Sequence, residues 1–68
     1  MVGHVRAMVR GKGFGFITGS DGRSYFFHQE DFEQTRTQFL ALAPGWLVEF
    51  RPSEYPKGPR ALAVRMVT

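Results

Sequence analysis

The chain has 68 residues, nine Lys or Arg against six Asp or Glu, a net charge of +3 and no cysteine. That length holds one domain, residues 1–68, in which about 60% of the unfolded surface becomes buried. Lack of Cys excludes disulfides and thiolate metal sites, and no stretch nears the ~20 apolar residues of a membrane-spanning helix.

Residues 1–10 hold two arginines and a histidine without a long apolar run, so they do not read as a signal peptide, and a cytoplasmic protein is expected. Residues 2–10 have strand character with imperfect alternation. Val5, Ala7 and Val9 share one parity, and Arg6, Met8 and Arg10 the other. Gly11 and Gly13 predict a bend or bulge before a second strand over 13–18. Gly19-Ser20-Asp21-Gly22 is a turn cluster that makes 23–28 the return strand of a hairpin. Residues 29–43 begin polar and end mixed, with room for one short helical turn. Pro44-Gly45 signals a turn into a fourth strand over 46–51, with Trp46 at its start and positioned to cap a barrel end. Residues 52–59 carry three prolines and a glycine and are expected to form an irregular loop. Residues 61–67 are apolar apart from Arg65 and form a fifth strand. Short strands at this spacing predict an all-β barrel or sandwich.

Two runs carry most of the chemistry: Lys12-Gly13-Phe14-Gly15-Phe16-Ile17 and Tyr25-Phe26-Phe27-His28. Alternate residues of a strand share a face. Pairing these strands therefore sets Phe14, Phe16, Phe26 and His28 on one surface, and sends Tyr25 and Phe27 to the core. Flat rings beside a cation suit unpaired nucleobases and their phosphates. The glycines around Lys12 do not make a mononucleotide loop, because no Gly-Lys-Ser/Thr follows and the segment continues as strand. The same run matches the start of the RNP1 signature of RNA recognition motifs. That fold needs two helices, which this chain lacks, and its second aromatic strand precedes the signature.

Here the second aromatic strand follows, and in this the chain resembles the cold-shock domain along essentially its whole length. The resemblance rests on Gly3-His4-Val5-Arg6, Lys12-Gly13-Phe14-Gly15-Phe16-Ile17, Asp21-Gly22, Tyr25-Phe26-Phe27-His28, Pro44-Gly45 and Gly58-Pro59-Arg60-Ala61. It implies a five-stranded antiparallel OB-type barrel that binds single-stranded RNA or DNA, with RNA-chaperone activity and a role in stress adaptation. It also implies binding roles for Lys12, Phe14, Phe16, Phe26 and His28, with Arg6 in place of a usual Lys. Arg60 stands at a polar or basic site, and Phe39 is the candidate for a further Phe of the long loop. Two departures stand out. Ala7-Met8-Val9 replaces Trp-Phe-Asn, and Gln29 replaces an aromatic after the His. Each stacked base contributes about 1–3 kcal/mol, so losing two platforms weakens binding by roughly 2–6 kcal/mol if additive. Met8, a thioether that packs adaptably on rings, offers partial compensation.

The plainer readings stand beside these. Phe32, Phe39 and Leu40 fit packing roles as well as binding ones. Arg10, Arg23, Lys57 and Arg65 fit ordinary solvated charges. His28 near Glu30 and Asp31 suggests acid–base chemistry, but no nucleophile has a partner, so no enzyme activity, cofactor, metal or small-molecule substrate is expected. The alternative function is a protein-interaction module using the same aromatic and apolar face. A monomer is expected, with exposed strand edges permitting a swapped dimer.

Overall fold

The structure, a computed structural model, describes residues 1–67. Thr68, the last residue of the expected domain, lies outside the described residues. Five strands, β1 (Val2–Val9), β2 (Phe14–Gly19), β3 (Ser24–His28), β4 (Leu47–Tyr55) and β5 (Gly58–Met66), close into a barrel in the order β1-β2-β3-β5-β4. Short 3-10 turns follow β1 (Arg10–Lys12) and β3 (Gln29–Asp31), and one six-residue helix, α1 (Arg36–Ala41), spans the long connection. Among the described residues no helix is long and apolar enough to cross a membrane.

The strand directions follow from the pairings. β1 is antiparallel to β2 and β4, β2 to β3, and β4 to β5. β3 and β5 therefore run the same way, and the seam that closes the barrel is parallel, with Phe26 opposite Arg60. The expected all-antiparallel barrel thus has one parallel seam.

The core gathers the inward parity of each strand. Ile17, Tyr25, Phe27, Val48 and Val64 are at most 2% exposed, joined by Phe32 and Phe39 from the long connection. Each such side chain contributes roughly 1.5–3 kcal/mol on burial. Gly15 faces inward between Phe14 and Phe16, and its place needs the absence of a side chain. A Cβ there would lie 2.6 Å from the Met8 sulfur and 2.9 Å from the Ala7 carbonyl oxygen.

Two further features of the strands depart from the sequence reading. First, β1 carries a bulge: Val5 pairs with Ile17, but Ala7 pairs with Phe16, so Arg6 is the extra residue. A bulge reverses parity downstream. Ala7 and Val9 leave the parity of Val5 and turn outward, while Met8 turns inward onto the core. Met8 is therefore not available to replace a lost ring on the outer face. Second, 52–59 is not an irregular loop. β4 runs through Pro52 to Tyr55, and β5 returns from Gly58 with Tyr55 paired to Gly58. Proline is tolerated here because β1 pairs only with Leu47–Glu49 of β4, so Pro52 lies beyond the strand that would need its N–H. Trp46 precedes β4 and is 43% exposed, and Leu40 is 41% exposed instead of packed.

The β2–β3 turn is held by Asp21, which accepts from the Tyr25 hydroxyl (2.5 Å) and the Arg23 backbone N–H (3.0 Å). The Tyr25 hydroxyl first, then that N–H, pull the Asp21 carboxyl below its ordinary 3.8. A lowered folded value means that the stabilisation is complete above the unfolded value and is lost as pH falls through the folded one. Asp21→Asn is therefore expected to lower Tm near neutrality. Thermal melts across acid pH should show the difference closing as pH falls below the ordinary 3.8 and through the lowered folded value, where the protonated acid and the amide are nearly equivalent.

Candidate functional site

The outer parity of β2 and β3 carries the aromatic strip. Register makes it a pair of rows. Ala7, Phe16, Phe26 and Arg60 are successive cross-strand partners across β1, β2, β3 and β5. Val9, Phe14 and His28 form the second row. The Phe14, Phe16 and Phe26 rings touch one another, with centroids 5.4–5.9 Å apart and no pair stacked face to face. They are half-buried by one another and lie outside the core cluster. An aromatic cluster turned away from the core offers flat apolar faces of the kind that suit stacking.

Charge surrounds the strip. The Arg6 guanidinium lies 5.2 Å from the Phe16 centroid and donates to the Ser24 hydroxyl at 3.2 Å. Lys12 stands exposed on the turn before β2, with no carboxylate partner among the described residues. That turn is closed by Gly13 at φ 73°, a left-handed conformation suited to glycine, and the Gly13 carbonyl accepts the Gln29 N–H. The Lys12 turn is thereby tied to the end of β3. His28 is fixed through both its backbone and its ring. Its N–H donates to Asp31 at 2.9 Å, and its Nδ1 accepts the Glu30 N–H at 3.1 Å. With Nδ1 as acceptor, the proton of the neutral ring sits on Nε2.

Arg60 differs from the free phosphate-pairing cation that its sequence position suggests. Its Nε and Nη2 both donate to Asp31 Oδ2 at 3.0 Å, and its guanidinium lies 5.6 Å from the Phe26 ring and 5.0 Å from the Tyr55 ring. Between Phe16 and Phe26 and residues 55–60 runs an open groove of about 730 Å³. Tyr55 and Lys57 on its wall were not among the sequence candidates. Their place in a stretch of prolines and glycine concealed that they border the strip, and the sole signal was a lone aromatic separated from a lysine by one proline.

Phe39 is a correction. It is 1% exposed and packs against Phe27 and Phe32, 5.9 and 5.7 Å between centroids. The apolar face of α1 has the barrel mouth to cover, so the ring turns inward and has no surface to offer a base. The other sequence candidates, Arg6, Lys12, Phe14, Phe16, Phe26, His28 and Arg60, lie together on the outer face or its rim. Arg10 and Arg23 are not merely solvated. Arg10 donates to the carbonyls of Leu40 and Leu42, tying the Lys12 turn to α1, and Arg23 pairs with Glu54 at 2.6 Å. The latter pair is solvent-exposed, and an ion pair so exposed contributes little to stability.

Comparison with known proteins gives one family match, the 'Cold-shock' DNA-binding domain, across residues 1–67. The chain is 39% identical over 67 residues to a cold shock-like protein of Thermotoga maritima, covering 98% of each. It is 42% identical over 62 residues to cold shock-like protein CspE of Escherichia coli K12, covering 91% of this chain and 88% of that one. A probable cold shock protein A of Mycolicibacterium smegmatis matches at 39% over 57 residues, 82% of each chain.

Proposed function

The chain belongs to the cold-shock DNA-binding domain family, and from that premise we propose that it binds single-stranded RNA or DNA on the outer face of β2 and β3. The observation that carries this reading is the mutual contact of Phe14, Phe16 and Phe26 outside the core, beside His28. Bases stack on these four rings, while Arg6, Lys12 and Lys57 meet phosphates. Every base has a π-face, so the strip itself discriminates little. Holding single strands opposes RNA secondary structure by mass action and needs no ATP or other cofactor. The protein acts in this reading as a cytoplasmic monomer.

Titration of labelled oligo-U and oligo-T at several salt concentrations tests it. Three phosphate contacts predict a log–log salt slope of roughly −2, at about −0.7 each. Absence of binding by folded protein, or binding indifferent to salt, would favour instead a protein partner on the same face.

The bulge sharpens a second expectation. Ala7 is the outward partner of Phe16, and Gln29 follows His28 with its side chain over Gly13. Rings at these two positions would add one platform at the β1 end of the first row and one next to His28 in the chain. Ala7→Trp with Gln29→Phe is expected to tighten oligo-U binding by about tenfold or more. Equal affinity of the variant and the parent protein would show that the present footprint does not extend to β1.

A further inference from the structure

We propose that the groove beside Phe16 and Phe26 is a base-reading subsite, in which Arg60 selects a base with two adjacent hydrogen-bond acceptors, guanine or cytosine. The inference rests on the reading above and assigns to one end of the strip a selectivity that stacking alone does not supply.

The argument begins with the donors of the guanidinium. Nε and one N–H of Nη2 are spent on Asp31. Nη1 and the second N–H of Nη2 form the end of the fork, and they have no partner among the described residues. Asp31 is itself fixed, since it accepts the His28 backbone N–H at 2.9 Å and is only 10% exposed. The guanidinium also lies 5.6 Å from the Phe26 centroid and 5.0 Å from the Tyr55 centroid, so rings flank it as well as the carboxylate. A clamped fork loses little entropy when it binds.

The free end presents two parallel N–H donors. Guanine matches them with O6 and N7, and cytosine with O2 and N3. Uracil, thymine and adenine place no two acceptors side by side on one edge. In a single strand those edges are unpaired and within reach.

The position of Arg60 gives the base somewhere to sit. Arg60 is the register partner of Phe26 and so ends the row that starts at Ala7. The groove it lines, about 730 Å³, falls within the range of small-ligand sites, about 300–1,000 Å³. Tyr55, 41% exposed, gives it an aromatic wall, and Lys57 lies at the turn for the adjoining phosphate.

The test is a base walk. One position at a time of a short oligo-U is replaced by G, C or A, and affinity is measured for the parent protein, Arg60→Lys and Tyr55→Ala. At one position G, C or both should bind about tenfold more tightly than U or A. The G and C arms show which acceptor pair is read. Arg60→Lys keeps a cation beside Asp31 but lacks the fork, so it should lose the preference and bind the G-, C-, A- and all-U oligonucleotides about equally. Tyr55→Ala, at an exposed site, should weaken binding of the preferred oligonucleotide about fivefold or more. Oligo-U binding with a flat base walk overturns this inference and leaves the stacking reading intact, as does a preference that survives in Arg60→Lys. Failure to bind any oligonucleotide overturns both. A flat walk on the parent protein overturns the inference whether or not the variants fold.

Discussion

Phe14→Ala combined with Phe16→Ala is expected to lower affinity for oligo-U by about 30-fold or more while the barrel stays folded. The two rings belong to different rows of the face, one paired across β3 with His28 and the other with Phe26. Removing both takes a platform from each row, and each platform is worth about 1–3 kcal/mol. The losses need not add, because both rings also support Phe26 at 5.4 and 5.9 Å, and it loses that support with them. Neither ring is in the core cluster. The cost in stability is then mainly ring–ring contact, of order 1–2 kcal/mol. Titration together with a thermal melt separates the effects. Residual binding should keep the parent salt slope, since Arg6, Lys12 and Lys57 remain. Unchanged affinity in a folded double variant would remove the stacking face from consideration.

The part of this site that lies on β2 and β3 was legible in the sequence for a physical reason. A short hairpin fixes its own register, and strict alternation then decides which residues face out. Phe14, Phe16, Phe26 and His28 on one side, and Tyr25 and Phe27 on the other, depend on nothing distant. The barrel followed from the same local signals and from the resemblance of its motifs. What was not legible depends on partners remote in sequence. The Arg6 bulge is a property of how β1 meets β2, and it alone sends Ala7 outward and Met8 inward. Pro52 is compatible with a strand because β1 stops short of it, a fact of tertiary arrangement. The clamp on Arg60 joins residues 29 apart in the chain, and no spacing rule marks Asp31 as its partner. Composition could show that a cation stands near the strip, but not which of its donors remain free.

Phe39 gives the clearest separation between a core role and a binding role, because the two predict opposite results for one substitution. A stacking residue of the long connection would be exposed, and Phe39→Ala would weaken binding with little change in Tm. In the structure the ring is 1% exposed, wedged against Phe27 and Phe32 where α1 closes the barrel. Truncating a buried Phe costs about 3–5 kcal/mol through lost transfer energy and the cavity left behind. A domain of this length has a total stability of roughly 3–10 kcal/mol. Phe39→Ala is therefore expected to remove about half of the stability or more, with a large fall in the urea midpoint. Oligonucleotide affinity of whatever fraction stays folded should be unchanged, because the strip on β2 and β3 does not touch this residue. Measuring affinity in a stabilising osmolyte, where the folded fraction is restored, completes the comparison. A normal urea midpoint with weakened binding would return Phe39 to the ligand face. A collapsed midpoint with intact affinity would fix its role as the plug that holds α1 over the barrel mouth.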